Sequence, residues 1–465
     1  MLLDGRTIVN LNYTAPIKVV AGCVEKAEIK TVITSKLFLK KLEKRGIDLA
    51  PLMEQVDLVF MEDLRQQIPR WRFLTAFLQA RFCPTGLLVW LHTRKVKLED
   101  TAAILFSSGS EGTPKGVMLS HSNIIANIKQ VACVLNADDD DVMLNALPTF
   151  HAFGLTATTL LPIMEAIPMV CQADPTDSRA IARAVAKNRV SVMIATATFL
   201  RMYMRSKKVH PLMFESLRIV VTGAERLPTE VRDGFRNKFG KTIYEGYGTT
   251  ETTPVATVNI PDLLLDQSGT VQTGNKPGSV GLPLPGTRIR IVDPDTMQPL
   301  ETDQAGLVLV GGSQVMLGYL KDPERTGAVI VELDGLRWYK TGDKGKLDKD
   351  GFLTILDRYS RFAKLGGEMI SLSSVEQQIG ALINDSEVDM LAVALPEVSK
   401  GEQIVLLIDD PDYAEGLRGR VQESDMTAQM QPKHYFAVDA IPKLGTGKAD
   451  LTQARQLAIE CLEDI

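Results

Sequence analysis

The chain has 465 residues, 45% hydrophobic and 23% charged, with 52 Lys plus Arg against 57 Asp plus Glu for a formal charge of −5. This ordinary globular composition excludes a disordered, collagen-like or low-complexity chain, and at about 150 residues per domain it predicts about three folding units, or one large domain with a smaller one. The mild acidity argues against nucleic acid as a partner, and no run of about 18 uncharged apolar residues is present to cross a membrane as a helix.

In chain order, the opening MLLDGRTIVNLNYTA has no apolar stretch of the signal-peptide kind. Thr31–Thr34 reads as a strand. The five cysteines, Cys23, Cys83, Cys133, Cys171 and Cys461, form no CxxC pair, which predicts a reducing compartment with neither disulfides nor a zinc site. The stretch Arg70–Leu91 mixes Trp71, Phe73, Phe77, Phe82 and Trp90 with Arg70, Arg72 and Arg81, and basic residues follow through Lys97. Two readings stay open. It is a helix lying in a membrane interface, which favours aromatic and basic side chains together, or a core helix followed by a buried strand.

Further on, Val142–Leu147, Met169–Gln172, Val190–Ala195 and Arg218–Thr222 read as strands alternating with amphipathic helices. The clearest helix is Ser120–Asn136, with Ile124, Ile128, Val131 and Leu135 on one face and Ser120 as its N-cap. Such alternation predicts α/β layers with parallel strands. The aspartate run Asp138–Asp141 reads as a solvated loop, since adjacent aspartates on a turn do not converge on a metal. Beyond Gly278, short strands such as Thr287–Asp293 and Gly306–Gly311 suggest a β-rich subdomain. Phe352–Leu356 then gives way to a polar turn, Asp357–Arg361. A strand–helix–strand pattern through Val393–Leu395 and Gln403–Asp409 sets the last hundred residues apart, with a boundary near Ser360.

Four segments carry chemistry. In Ser107-Ser-Gly-Ser-Glu-Gly-Thr-Pro-Lys-Gly116, three glycines free the backbone while hydroxyls and Lys115 supply donors, a composition suited to phosphate oxygens. It is not a Walker A loop, because Gly116 and not Ser or Thr follows the lysine. In Tyr244-Glu-Gly-Tyr-Gly-Thr-Thr-Glu251, Gly246 and Gly248 let a flat ligand approach, and Thr250 with Glu251 suits a magnesium ion riding on phosphates. Asp343, in Trp338-Tyr-Lys-Thr-Gly-Asp343, can accept from two ribose hydroxyls. Pro442-Lys-Leu-Gly-Thr-Gly-Lys448 places a lysine on a glycine-rich loop.

In this order, over nearly the whole chain, these segments resemble the acyl-adenylate-forming (AMP-binding) superfamily. The wording Phe106-Ser-Ser-Gly-Ser-Glu-Gly112, the run Arg361-Phe-Ala-Lys-Leu-Gly-Gly-Glu-Met-Ile-Ser371 and the opening Asn10-Leu-Asn-Tyr-Thr14 are most similar to one branch. That branch is the acyl-ACP synthetase half of the bifunctional 2-acylglycerophosphoethanolamine acyltransferase/acyl-ACP synthetase family. The resemblance implies an α/β fold with a large N-terminal adenylate-forming domain, residues 1–357, made of layered α/β subdomains plus a small β-rich one. A small mobile α+β lid domain, residues 358–465, would carry the catalytic lysine.

By the same resemblance, Ser107, Ser108, Gly109, Ser110, Gly112, Thr113 and Lys115 would grip the ATP phosphates. Gly223, Ala224 and Glu225, with Glu245, Gly246 and Tyr247, would wall the adenine. Thr250 would touch the α-phosphate, Glu251 would hold Mg²⁺, and Asp343 with Arg358 would take the ribose. Lys448 would be the catalytic lysine, and His151 would flank the acyl pocket. The implied reaction activates a fatty acid to acyl-AMP and passes it to a pantetheine thiol, of acyl carrier protein or, as the alternative, of coenzyme A. A fused or separate acyltransferase would be a partner. On the interface reading of Arg70–Leu91, and not from the resemblance, the site of action is expected to be cytoplasmic, peripheral on the cytoplasmic face of the inner membrane through residues 70–97. Two positions depart from the family pattern: Asp357 stands where Gly is usual, and Ser360 where the hinge usually has Asp or Lys. The chain also begins late relative to the family, so Met1 is expected to be an internal start or the chain one part of a longer protein. With those departures, the reading from another class is a non-catalytic nucleotide- or fatty-acid-binding remnant.

Overall fold

A computed structural model describes residues 4–44, 46, 52, 55–107, 114–264, 269–365, 368–383, 388–397, 401–443 and 449–463. A seven-stranded sheet forms the centre, in the order Leu282–Pro283, Val255–Val258, Ile243–Gly248, Ile219–Thr222, Val192–Ala195, Met143–Asn145 and Met169–Cys171. The last five of these run parallel. The helices Ser178–Asn188, Ala197–Arg205 and Thr229–Phe239 return the chain between them. Val192, Met193, Ile219 and Val220 are buried, as expected of strands covered on both faces.

The helix His121–Leu135 is held to this sheet and to the β-rich part at once. Ser120 caps it reciprocally with Asn123, as the sequence predicts for Ser120. Ile124 and Ile128 enter the core. Three amides on the helix are buried and fully used. Asn123 Nδ2 donates to the carbonyls of Ser313 (2.7 Å) and Val315 (2.9 Å), and Asn127 Nδ2 to that of Val255 (2.7 Å). Gln130 Nε2 reaches Gln314 Oε1 at 3.3 Å. Buried amides left unpaired would each cost about 1–3 kcal/mol, so this register is strongly specified.

Asp141 corrects the solvated-loop reading of its aspartate run. It is 3% exposed. Its carboxylate accepts from Arg218, from Ser191 Oγ (2.6 Å) and from the backbone of Asp138 (2.8 Å), tying together segments that precede three of the parallel strands. Burial pushes this carboxyl up, but the bonds from Arg218 and Ser191 outweigh it and hold the group below the usual aspartate range.

The stretch Arg70–Leu91 also differs from its core reading. Pro84 splits it into two helices, Arg70–Phe82 and Thr85–His92, and neither buries a side chain.

The small C-terminal domain has its own sheet, Glu368–Ser371, Phe362–Leu365, Gly401–Ile408 and Met390–Glu397, with His434–Ala437 paired to Gly401–Ile408. Along Gly401–Ile408, Ile404, Leu406 and Ile408 join one core cluster while Val405 and Leu407 join the other, the alternation of a strand buried on both faces. The connection to the large domain is one turn, Tyr359–Arg361. Before it, Arg358 Nε donates back to Asp343 Oδ1 at 3.1 Å. At its end Arg361, expected in a polar turn, is buried. Its guanidinium donates to Glu376 (2.6 Å) and to the Ala392 carbonyl (2.9 Å) inside the small domain.

Candidate active site

The strands Thr101–Ser107 and Lys115–Ser120 form an antiparallel hairpin in which Ser107 pairs with Lys115. The two described ends of the predicted phosphate loop are therefore adjacent across one ladder. Ser108, Gly109, Ser110, Gly112 and Thr113 lie outside the described residues, as does Lys448. The Lys115 ammonium sits 5.8 Å from the centre of the Tyr319 ring. The Tyr319 hydroxyl donates to Glu251 Oε1 at 2.8 Å. Tyr319 is brought there by Gly318–Tyr319, a short strand added to the outer edge of the hairpin.

Glu251 sits on a single helical turn, Thr250–Thr252, capped by Thr249. The residue is almost buried, and the Tyr319 bond fixes Oε1. Burial, then the charge of Glu251, raises the Tyr319 hydroxyl above its usual range, so it remains a protonated donor. Among the described residues no group of three or more His, Cys, Asp or Glu gathers to hold a metal. A single oriented carboxylate with Oε2 left open fits Mg²⁺, which keeps several waters and is bound through one or two carboxylates together with substrate phosphates.

The second pole is reached from Tyr247, near the end of the strand Ile243–Gly248. The Tyr247 hydroxyl donates to Asp343 Oδ2, and Asp343 faces Arg358 across the ladder of Leu336–Leu347 and Leu353–Arg358. Asp343 is 2% exposed. Burial raises its carboxyl above the usual range, against the pull of Arg358 and Tyr247. Tyr247 is raised well above its usual value by burial first and Asp343 second. Tyr339 is raised well above as well, by burial and then by Glu251. Three protonated tyrosines and two carboxylates thus form one polar seam from Glu251 to Asp343, of which sequence reasoning identified Glu251, Tyr247 and Asp343. It missed Tyr319 and Tyr339. Tyr319 lies 68 residues from Glu251, and its only local signal was the Gly318-Tyr-Leu320 wording.

The predicted adenine segments come together in part. Gly223 follows the strand Ile219–Thr222. A Cβ there would lie 3.3 Å from the Gly246 carbonyl and 3.4 Å from the Phe153 ring, so the Gly223, Gly246 and Phe153 surfaces converge. Ala224 is exposed in the left-handed region at φ 72°, a conformation that persists where a site demands it. Two carboxylates are otherwise engaged. Glu225 accepts from the Thr198 amide (2.5 Å) and hydroxyl (3.0 Å) at the start of the helix Ala197–Arg205. Glu245 accepts from the Leu227 amide at 3.1 Å, and burial raises it. Both carboxylates are thus anchored to neighbouring backbone amides.

His151 is half-buried at the start of an unusual π-helical stretch, Phe153–Leu160. Its ring lies 4.6 Å from that of Phe150, which meets Tyr13 at 5.3 Å. A Cβ on Gly154 would lie 2.0 Å from the Pro148 carbonyl, so only glycine allows this turn. Wide i→i+5 turns concentrate at functional sites, and here one carries Phe153 against Gly223.

Comparison with known proteins matches the AMP-binding enzyme family model to residues 2–320. The chain is 27% identical over 430 residues to a long-chain-fatty-acid–CoA ligase of Salmonella typhimurium, covering 91% of this chain and 72% of that one. It is 30% identical over 360 residues to a long-chain-fatty-acid–CoA ligase of Bacillus subtilis, covering 75% and 60%. The solved structure of O-succinylbenzoate coenzyme A synthetase from Bacillus subtilis with ATP and magnesium ion superposes with a TM-score of 0.75 at 23% identity, over 97% of this chain and 84% of that one.

Proposed function

We propose that this chain, which belongs to the AMP-binding enzyme family, activates a fatty acid and transfers the acyl group to coenzyme A. The coarser activity is that of an ATP-dependent, acyl-adenylate-forming ligase that uses Mg²⁺. The finer reading draws on relatives named as long-chain-fatty-acid–CoA ligases. They favour coenzyme A over the acyl carrier protein that the Arg361–Ser371 wording resembles.

The observation that carries the reading is the polar seam. It has a cationic and carboxylate end at Lys115, Tyr319 and Glu251. It has a carboxylate and guanidinium end at Asp343 and Arg358. A nucleotide places its phosphates at the first and its ribose hydroxyls at the second. Asp343, already ionically paired, accepts from the ribose and sets the register of the nucleotide. Lys115 and the hydroxyls beside it bind phosphate oxygens. Mg²⁺, when bound at Glu251, supplies charge neutralisation on the phosphates. The carboxylate of the acid then attacks the α-phosphorus in line and pyrophosphate leaves. Charge spread over the phosphate oxygens in that transition state is stabilised by fixed donors and by Lys448. The mixed anhydride that results is cleaved by the thiol, releasing AMP.

Pyrophosphate release should require a fatty acid. It should be followed by thioester formation faster with coenzyme A than with acyl carrier protein. Thioester with acyl carrier protein alone would return the acceptor to that protein. No pyrophosphate with any chain length would leave the chain a non-catalytic binding remnant.

A further inference from the structure

Residues 64–98 contain Arg65, Arg70, Arg72, Arg81, Arg94, Lys95 and Lys97 and no Asp or Glu, in a chain whose net charge is −5. The same stretch holds the densest exposed apolar surface among the described residues. Trp71 is 60% exposed, Phe77 65%, Phe82 71% and Trp90 76%, with Phe73, Leu74, Leu78, Leu87, Val89 and Leu91 also exposed. From residue 70 to residue 98 only Gln79, Cys83, Leu88 and Thr93 are less than exposed.

The apolar side chains ring the Arg70–Phe82 helix: Trp71, Leu74, Leu78 and Phe82 share one side, Phe77 and Phe73 continue round toward the opposite side, and Arg70 and Arg81 fall between them. The Thr85–His92 helix folds back so that His92 Nε2 meets Gln79 Oε1 at 3.1 Å. This hydrogen bond ties the two helices together, and the aromatic side chains of both stay exposed. Arg70 and Arg81 stand at the two ends of the helix, where a long side chain can keep its stem in apolar surroundings and its head in water. The Arg72 and Arg81 guanidiniums lie over the Trp71 and Phe82 rings at 5.5 Å and 5.4 Å.

An exposed apolar patch of this size is an interaction surface. The helices have 13 and 8 residues, about 20 and 12 Å at the helical rise. That is too short to cross a hydrocarbon core of about 30 Å but suited to lying in the plane of its interface. We infer that the two helices dock this protein on an anionic lipid surface. The aromatic residues enter the headgroup region, and Arg70, Arg81, Lys95 and Lys97 meet lipid phosphates. The absence of any carboxylate over 35 residues makes the face complementary to anionic lipid. The inference stands apart from the ligase reading, because docking needs neither nucleotide nor acid.

The test uses the full chain without substrates. Vesicles of phosphatidylcholine with phosphatidylglycerol are compared with phosphatidylcholine alone, at low and high salt, by sedimentation and tryptophan emission. Of three tryptophans, Trp338 is buried at 2% exposure and Trp71 and Trp90 are not, so a blue shift on adding vesicles reports these two helices in the unaltered protein. The expected result is sedimentation and a blue shift with anionic vesicles, reversed by salt. Arg81→Gln/Lys97→Gln should weaken binding about twenty-five-fold, about fivefold for each basic residue. Phe77→Ser/Trp90→Ser should weaken it at least tenfold with an unchanged melting curve, both positions being exposed. Protein that stays in the supernatant, emission that does not move, or variants that bind as the parent does would overturn the inference. So would emission already blue-shifted in a dimer without vesicles, which would make a second copy the occupant.

Discussion

Replacing Asp343 by Asn tests the nucleotide register at the point where the fold and the ligand use the same carboxylate. Both oxygens already have a protein partner, Tyr247 at Oδ2 and Arg358 at Oδ1. Each oxygen still has an open lone pair, enough for two ribose hydroxyls. Asn keeps one acceptor and converts the other to a donor, removing one charge-assisted bond and weakening the second. At about 1.5–3 kcal/mol for a bond to a charged group, the binding loss is about 2 kcal/mol, about thirtyfold in the KM for ATP. The fold pays less. Arg358 is 62% exposed, so it re-solvates at about 0–1 kcal/mol, and Tyr247 keeps an acceptor. Pyrophosphate exchange with ATP and with 2′,3′-dideoxy-ATP separates the two costs. The thirtyfold loss should appear with ATP and shrink to less than about threefold with the dideoxy nucleotide. An equal loss with both would refute the ribose reading and make the pair structural. Because burial raises the Asp343 carboxyl, the ionised form that accepts from ribose is lost as pH falls through that raised value. ATP affinity should therefore weaken at an acid limb that the Asn variant lacks.

Lys448→Ala should abolish adenylate formation by about 3 kcal/mol or more of activation while ATP still binds, since a charge that serves only the transition state costs little in the ground state; near-normal pyrophosphate exchange would end that assignment. Tyr319→Phe frees the Glu251 carboxylate and should raise the half-saturating Mg²⁺ about fivefold, the loss of one bond of about 1 kcal/mol, with little change in the KM for the acid; an unchanged Mg²⁺ titration would refute it. Asp141→Ala should destabilise the large domain by about 3 kcal/mol in urea unfolding, because Arg218, Ser191 and the Asp138 amide lose a buried acceptor. The Asp141 carboxyl is held low in the folded state, so its contribution is present above the ordinary aspartate value and disappears as pH falls through the folded one. The Ala variant should lose that part of the acid dependence, and parallel acid curves for parent and variant would sink the argument.

The segments with local signatures were legible. Ser120 announced its helix because a cap satisfies backbone donors only a few residues away. The glycine- and serine-rich composition marked Ser107–Gly116 as a loop, but its closure as a hairpin between Thr101–Ser107 and Lys115–Ser120 was not read from the sequence. What stayed hidden depends on partners far along the chain. Asp141 looked solvated because Arg218, 77 residues on, cannot be seen from Asp138–Asp141. The anchoring of Glu225 and Glu245 was hidden in the same way, because the backbone amides of Thr198 and Leu227 carry no side-chain signal. For Arg70–Leu91 the failure has another cause. Aromatic residues at helical spacing are the same letters whether they face a core or a lipid, and only exposure separates the two.

The turn between the two domains shows how a sequence departure acquires physical content. Arg358 is committed backward to Asp343 and Arg361 forward to Glu376, so the turn between them carries no strong bond of its own. Asp357 spans it. Its Oδ2 accepts from Ser371 Oγ (2.6 Å) and from the Ser373 amide (3.3 Å), both in the small domain. The resemblance expects Gly at this position, and a glycine cannot make either bond. Each such bond is worth about 1 kcal/mol net once water can replace it, so Asp357 biases the orientation seen here by about 2 kcal/mol. That is enough to favour one arrangement of the two domains about thirtyfold. It is not enough to forbid another, because a bias of a few kcal/mol leaves the second state populated at the per-cent level. The buried Arg361–Glu376 pair is a different kind of contact. It lies wholly within the small domain, so it keeps the first turn of that domain rigid in any orientation.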